Sequence, residues 1–332
     1  MAPKTNPKST DAAEDIPDRK EYDLIIIGGG PAGLSAAIYA SRFNLDFFVA
    51  AKEFGGLLTT THLVENWPGF AQISGRALMD RIIEHCRHFN IMLKEAEVTG
   101  IKKKGSFFYV KTGGSGGAHS KKEAEHRAKA VILATGSKPR QLGIPGETEF
   151  LSRGVSYCAT CDAMFFKNKA VAVIGGNDSA AKEALMLSEH CKKVYIIYRK
   201  EKIRAEPINA ERVEKNPKIE IINNTNVIEI KGKNKVERLI LDKPYKGSKE
   251  FSVDGVFIEI GHNPLSELAG QMGVSVNEKG EIIADNGSRT NVEGFYAAGD
   301  ITDSSYKQAI TAAADGVKAA FSAFEYVKKF KD

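Results

Sequence analysis

Two short apolar runs, each broken off by glycines and followed at once by a helix-forming stretch, constrain this chain more than any other feature. The first covers residues 22–27, then Gly28-Gly29-Gly30-Pro31-Ala32-Gly33, then a helical stretch over 32–41. The second covers residues 170–174, then Gly175-Gly176-Asn177-Asp178-Ser179-Ala180, a helix over 179–189 and a strand over 194–198. A buried strand that runs through glycines into a helix is the opening of a βαβ unit. Two such openings predict two nucleotide-binding halves, and 332 residues are enough chain for two cores.

The first motif is G-x-G-x-x-G in its required setting. Gly28 permits the tight turn, Gly30 lets backbone approach a pyrophosphate, and Gly33 lets helix and strand pack closely. The helix N-terminus then offers oriented N–H donors to the anion. The pattern also expects an acid about 20 positions on, to hold a ribose. The strand predicted over 45–49 ends in Ala50-Ala51-Lys52, with Glu53 slightly late, so the ribose contact stays open at this point.

The second motif has Asn177 in its third glycine position. Asparagine tolerates left-handed backbone, which lets the turn survive, with a side chain that would crowd the pyrophosphate. At the end of the following strand the chain carries Tyr198-Arg199-Lys200 and then Arg204 in place of an acid. An arginine fork suits a 2′-phosphate and so favours NADPH over NADH, against the plainer reading of a solvated basic face.

Cys158-Ala159-Thr160-Cys161 is a C-x-x-C, a spacing that closes a small, reducible ring. Zinc would need two further ligands, usually a second C-x-x-C or a His pair, and the sequence has neither, so no metal is expected. Redox chemistry stands ahead of two unpaired structural thiols. Asp162, next in sequence, reads equally as a proton donor raised by burial and as a helix-capping or surface acid. Cys86 and Cys191 stand alone in helical patterning and read as packed or partly exposed free thiols.

A net charge of +5 without a Lys/Arg block argues against nucleic acid as a partner. No apolar run approaches the roughly 20 residues of a membrane helix, and residues 1–20 lack the apolar centre of a secretory signal, so a soluble, cytoplasmic protein with no membrane partner is expected. Residues 1–20 read as a disordered tail. Residues 107–129 alternate around a Gly-rich centre and predict a hairpin with a loose tip, covering one face of the first sheet. Strands over 255–260 and 294–298 and a long helix over 306–328 complete the pattern.

The ordered set of motifs resembles the low-molecular-weight thioredoxin reductases of bacteria and archaea, over about residues 22–328. It includes Gly28 to Gly33, Gly55-Gly56-Leu57-Leu58-Thr59, Val64-Glu65-Asn66-Trp67-Pro68-Gly69 and Ala134-Thr135-Gly136. It continues through Cys158 to Asp162, Arg199 to Arg204, Gly299-Asp300 and Tyr306-Lys307-Gln308-Ala309. The resemblance implies an α/β fold of two Rossmann-like, three-layer ββα nucleotide-binding domains. FAD would be held by a discontinuous domain of residues 21–141 and 264–330. An inserted NADPH domain, residues 142–263, would carry the cysteines.

For FAD the resemblance implies contacts from Gly28, Gly30, Pro31, Ala32 and Gly33, from Ala51 and Glu53, and from Gly56, Leu57, Leu58 and Asn66. Val98, Ala134, Thr135 and Gly136 follow. Gly299, Asp300, Lys307, Gln308 and Ala309 complete the set, with Asp300 on the ribityl chain and the Gln308 region along the ring. For NADPH it implies Gly176, Asn177, Asp178, Ser179 and Ala180, the basic Arg199, Lys200 and Arg204, and Ile260 with Gly261. Cys161 would face the flavin, Cys158 would attack the partner disulfide, and Asp162 would donate the proton.

The implied activity is transfer of electrons from NADPH through FAD and the Cys158–Cys161 disulfide to thioredoxin or a thioredoxin-like protein, in a homodimer. A domain rotation with hinges near Leu142 and residues 262–264 would exchange the two partners of the flavin. Three departures from the family pattern stand out. Leu57 occupies a position where many members have Gln, Asn177 replaces a glycine, and Tyr198 and Lys200 replace a His and an Arg. Alternatives are a flavin-dithiol reductase with another electron donor or a peroxidase partner, and a flavin-binding redox sensor.

Overall fold

The computed structural model describes residues 21–114 and 123–330. The predicted N-terminal tail and the tip of the predicted hairpin lie outside the described residues. The chain opens with β1 (Tyr22–Gly29), α1 (Pro31–Arg42), β2 (Phe47–Phe54), α2 (Gly75–His88), β3 (Leu93–Lys104), β4 (Phe107–Gly114) and β5 (Ala124–Leu133). It continues with β6 (Ser137–Pro139), β7 (Val155–Ser156), α3 (Ala159–Asp162), β8 (Ala170–Ile174), α4 (Asp178–His190) and β9 (Lys193–Ile197). Then come α5 (Pro207–Lys215), β10 (Ile219–Ile222), β11 (Val227–Gly232), β12 (Val236–Tyr245), β13 (Ser248–Ser252), β14 (Gly255–Ile258) and β15 (His262–Pro264). The last elements are α6 (Glu267–Gly270), β16 (Phe295–Ala297) and α7 (Ala309–Lys328).

The chain divides into two compact units. One takes the chain up to Gly56, then Arg81–Gly136 and Ser266 onward; the other takes Leu57–Asp80 and Ser137–Leu265. This division differs from the predicted domains in the placing of residues 57–80 and by a few residues at each join.

In the first unit the parallel strands run β3-β2-β1-β5-β16. The tail of β1 is buried on both faces, which is why it reads as an unbroken apolar run rather than an alternation. One face meets α1 and α7, where Leu24, Ile26 and Ile132 pack on Ala36, Ala40, Ala319 and Ala323. Small residues let these two helices close on each other: a Cβ on Gly316 would stand 2.0 Å from the Ala32 carbonyl oxygen. Truncating the fully buried Ile26 to Ala here would cost about 2–5 kcal/mol.

On the other face Tyr22, Ile25 and Phe48 meet Phe108 and Val110 of β4. The predicted hairpin therefore does cover one face. It is also hydrogen-bonded into the sheet, because β3 pairs first with β2 and then with β4, while β5 pairs with β4 and then with β1. Helix layer, parallel sheet and antiparallel meander make the three layers.

The second unit repeats the plan. Its parallel strands run β10-β9-β8-β14-β7. One face meets α4 through Val171, Val173, Ala184 and Leu187; the other meets the β11-β12-β13 meander through Ala172, Ile174, Ile230 and Leu239. β6 and β15 pair antiparallel, with His262 opposite Pro139.

Two predicted bounds shift for physical reasons. The strand expected over 45–49 is β2, which runs through Lys52 and Glu53 to Phe54 because pairing with β1 resumes at Gly29 opposite Phe54. The helix expected from 306 begins at Ala309, since Gln308 and Thr311 form a capping box that stops it there.

Candidate active site

The first nucleotide turn is built from backbone that cannot carry side chains. Gly28 sits at φ +126°, and a Cβ there would lie 2.1 Å from the Ala134 carbonyl oxygen; one on Gly33 would lie 1.9 Å from the Gly28 oxygen. Gly30 is different. A Cβ on it meets nothing within 4 Å, so the backbone of the N-cap of α1 looks into open space. Pro31 opens α1, no acid occupies its first turn and no side chain caps it, which leaves its N–H donors free for an anion.

Several predicted FAD residues come together around this turn. A Cβ on Gly56 would lie 3.2 Å from the Gly30 Cα, and one on Gly29 would meet the Glu53 oxygen and the Ala51 Cβ. Gly299, at φ +80°, brings its loop against Ala32 and Ala312. Glu53 is exposed near the end of β2, next to the glycine turn. Ala134, Thr135 and Gly136 follow β5 along the same edge. Lys307 donates to Glu281 Oε1 at 2.5 Å and to the Asp300 carbonyl at 3.0 Å, so it ties down the Asp300 loop. Gln308 and Ala309 begin α7. Val98 packs beside the β4 face of the sheet, and Leu57, Leu58 and Asn66 cluster with the second unit. The open cradle at Gly30 fits a pyrophosphate, and with it the FAD expected here.

The second turn is tighter. Gly175 takes the left-handed conformation at φ +151°, with its Cα against the Glu259 carbonyl. Asn177 is not left-handed as expected: at φ −89° and ψ −177° it is the extended N-cap of α4, and its Oδ1 accepts the Ala180 N–H at 3.0 Å. The side chain therefore turns back onto the helix and uses one of the donors a phosphate would take. Asp178, in the first turn, accepts from Glu206 N and Asn209 Nδ2 and pairs with Lys182 at 2.7 Å; these partners hold its carboxyl below the usual range although burial pushes the other way.

Tyr198 stacks its ring on Gly176 so closely that a Cβ there would be 2.4 Å from it. Its hydroxyl accepts from Arg204 Nε at 3.2 Å, and the Arg204 N–H donates to the Gly176 carbonyl at 2.6 Å. Arg199, Lys200 and Arg204 are all exposed near this turn, a cationic group that fits the 2′-phosphate of NADPH. Ser179 and Ala180 begin α4, and Ile260 and Gly261 follow β14, where a Cβ on Gly261 would meet open space.

Cys158 and Cys161 form a disulfide, with Cα atoms 5.3 Å apart. Cys158 is the N-cap of α3 and its Sγ accepts the Cys161 N–H at 3.1 Å. Ser156 Oγ accepts the Cys158 N–H at 3.0 Å, and Tyr157 donates its hydroxyl to Glu147 at 2.5 Å, so the segment leading into the disulfide is anchored. Cys161 is exposed, Cys158 half-buried. Asp162 is half-buried at the end of α3 and caps no helix through its side chain. Cys86 and Cys191 are buried free thiols, which burial pushes up to about 12 and about 11.

Three acids escape the motif reading. Glu147 accepts the Leu142 and Gly143 N–H groups as well as Tyr157. Glu183 on α4 accepts the N–H of Ala159, between the two cysteines, at 3.2 Å. Glu259 is buried just past β14; burial raises its carboxyl and that of Glu183, and the charge of Glu183 raises Glu259 further. A glutamate inside the apolar run Gly255-Val256-Phe257-Ile258-Glu259-Ile260 was the one available sign.

The family of pyridine nucleotide-disulphide oxidoreductases matches residues 22–316. A thioredoxin reductase of Treponema pallidum is 42% identical over 92% of this chain and 97% of its own length. One of Bacillus subtilis is 40% identical over 95% of this chain and 98% of its own. The crystal structure of Lactococcus lactis thioredoxin reductase superposes with a TM-score of 0.86 at 36% identity, covering 93% of this chain and 99% of that one.

Proposed function

The chain belongs to the pyridine nucleotide-disulphide oxidoreductase family, and on that premise we propose that it reduces the disulfide of thioredoxin, with Cys158 and Cys161 as the redox-active pair. FAD and NADPH are its cofactors. FAD, when bound, supplies the two-electron chemistry between the nicotinamide and the Cys158–Cys161 disulfide. The observation that carries the reading is that disulfide itself, set on a short helical turn with Cys161 exposed.

Once the pair is reduced, the Cys158 thiolate attacks one sulfur of the partner disulfide and expels the other as a thiolate, forming a mixed disulfide. Cys161, deprotonated, then attacks the Cys158 sulfur; the partner leaves as a dithiol and the Cys158–Cys161 bond is restored. Asp162, adjacent to Cys161, is the proposed carrier of the proton released and taken up in these steps. Around the first turn Gly30 and the N-terminus of α1 receive the pyrophosphate of FAD, Glu53 its ribose, and Asp300 its ribityl chain. Arg199, Lys200 and Arg204 receive the 2′-phosphate of NADPH.

A cytoplasmic homodimer is the form we propose. Support comes from the half-exposed Phe321 and the partly exposed Tyr39, whose outer rings extend the Phe43–Phe324 stack at 4.8 Å. Among the described residues no helix is long and apolar enough to cross a membrane.

The test is NADPH-dependent reduction of a thioredoxin by the FAD-loaded protein, beside Cys158→Ser. Wild type should turn over and the variant should lose roughly a thousandfold or more. Equal rates in the two would remove the dithiol relay.

A further inference from the structure

Glu147 has no place in the steps above, yet it is buried and both its side-chain oxygens are in use. Oε1 accepts the Leu142 N–H at 2.8 Å and the Tyr157 hydroxyl at 2.5 Å, and Oε2 accepts the Gly143 N–H at 2.6 Å. A buried acid is costly unless donors meet its oxygens, and here two backbone amides and one phenol meet them. The loop that carries Glu147 is itself fixed. The Ile230 N–H of β11 donates to the Pro145 carbonyl at 3.0 Å, and a Cβ on Gly146, at φ +86°, would stand 2.0 Å from the Ile230 carbonyl oxygen. Leu142, Ile144 and the Tyr157 ring pack on one apolar cluster, which includes Phe150 and Ile230.

Tyr157 and Cys158 are the two residues that join β7 to α3. Upstream, Ser156 pairs with Phe257 of β14, and its Oγ accepts the Cys158 N–H. Downstream, α3 is bound to α4: the Ala159 N–H donates to Glu183 Oε1 at 3.2 Å, the Thr160 hydroxyl donates to Met186 Sδ at 3.6 Å, and Ala159 is fully buried in one cluster with Ala180 and Ala184. Burial, and next the bond to Glu147, raises the Tyr157 hydroxyl above its ordinary value, so it stays a donor. The link that carries Cys158 thus has a side-chain tether of its own, from Tyr157 to a fixed loop.

We propose that Glu147 and Tyr157 are positioning residues for the redox pair: their hydrogen bond holds the backbone before Cys158 in the conformation that closes the Cys158–Cys161 disulfide, and so sets how readily that disulfide is reduced. This rests on the reading of those cysteines as redox-active. Reduction cleaves the S–S bond, takes up two electrons and two protons, and lets the sulfurs part to nonbonded distance. Ala159 is locked on α4, so the displacement falls on Cys158 and Tyr157 and weakens the bond to Glu147. The bond is therefore worth more in the disulfide form than in the dithiol form. A bond worth the same in both would stabilise the fold and leave the redox equilibrium unmoved.

The test is the equilibrium of the full-length, FAD-loaded protein with reduced and oxidised glutathione in the absence of air, with thiols counted by alkylation and assigned by peptide mass analysis. In this exchange two glutathione thiols become one glutathione disulfide as Cys158 and Cys161 each gain a hydrogen. Tyr157→Phe keeps the ring and leaves the Leu142 and Gly143 N–H groups on Glu147, so the fold should persist while the equilibrium moves about threefold or more toward the dithiol. Tyr245→Phe removes a tyrosine–glutamate bond of the same kind, to Glu220 of β10, and should leave the equilibrium at its wild-type value. The proposal is overturned if Tyr157→Phe titrates with the wild type, or if Tyr245→Phe shifts as far. A second readout needs no variant: with isotope-labelled tyrosine, the reduced-minus-oxidised infrared difference spectrum of the wild type should contain a shifted tyrosine C–O band, and its absence overturns the proposal as well. A wild type whose Cys158 and Cys161 do not pass together from disulfide to two thiols across the glutathione series would instead remove the redox reading of the cysteines, so the two failures are distinct.

Discussion

The Sγ of Cys158 accepts the N–H of Cys161 at 3.1 Å, an arrangement in which one cysteine caps the turn that carries the other. In the reduced protein this bond favours a thiolate on Cys158, because a charged acceptor gains more from an N–H than a thiol does. Cys158 should therefore be alkylated faster than Cys161 near neutral pH, by about tenfold or ~1.4 kcal/mol, although it is the more covered of the two. Peptide mass analysis of the reduced protein after a short pulse of iodoacetamide reads the ratio. Faster labelling of Cys161 would mean that exposure outweighs the hydrogen bond.

Gly28 and Gly30 separate folding from cofactor binding. A Cβ on Gly28 collides with the Ala134 carbonyl at 2.1 Å in a backbone conformation that other residues rarely adopt, so Gly28→Ala should lower stability by about 1–3 kcal/mol. A Cβ on Gly30 meets only open space. Gly30→Val should leave the apoprotein melting temperature within a few degrees of wild type and yet exclude the pyrophosphate, seen as loss of the flavin absorbance that copurifies. Retained flavin in Gly30→Val would place the pyrophosphate elsewhere.

Much of this was legible because glycine at a turn and cysteine spacing are local signals. The two strand-turn-helix openings, the reducible pair and the cationic group after β9 could be read directly from residue types. Apolar residues stop before Glu53, which makes it read as late in the sequence, whereas backbone pairing with β1 carries β2 past Lys52. Backbone tolerance alone does not place Asn177, because its side-chain oxygen accepts the Ala180 N–H at the start of α4. Glu183 and Glu259 stand 76 positions apart, on α4 and just past β14, so no local pattern encodes that they influence each other.

Arg204 is held by the Tyr198 hydroxyl through Nε, which leaves the outer nitrogens of its fork for a ligand. Arg204→Ala should raise KM for NADPH about tenfold, the value of one charge-assisted contact, while KM for NADH stays within about twofold. Tyr198→Phe should give a smaller effect in the same direction, since it removes only the orienting bond. Steady-state reduction of thioredoxin with the two nucleotides in parallel provides the check, and equal losses with both would mean that Arg204 does not read the 2′-phosphate.

Cys86 and Cys191 lie buried, with thiols raised to about 12 and about 11 by desolvation. Only the thiolate reacts, so both should resist thiol reagents while the chain is folded. Native protein reduced at the active pair should show two reactive thiols; in denaturant the count should rise to all four. A third thiol labelled in native protein would show that α2 or the end of α4 opens readily.

The Glu183–Glu259 pair also sets a slope of stability with pH. Both folded carboxyls are raised above the ordinary carboxylate range, chiefly by burial. The folded state thus binds protons that the unfolded chain has already released. Their contribution is complete below the unfolded value and is lost as pH rises through the folded ones. Stability should therefore decline through these two groups as pH rises above the ordinary carboxylate range. Glu259→Gln removes one titrating group, so its decline over the same range should be shallower. Thermal melts of the apoproteins in matched buffers measure the difference between the two slopes, in which ionisations elsewhere cancel. Parallel slopes would mean that the two carboxyls do not hold a proton beyond the ordinary range.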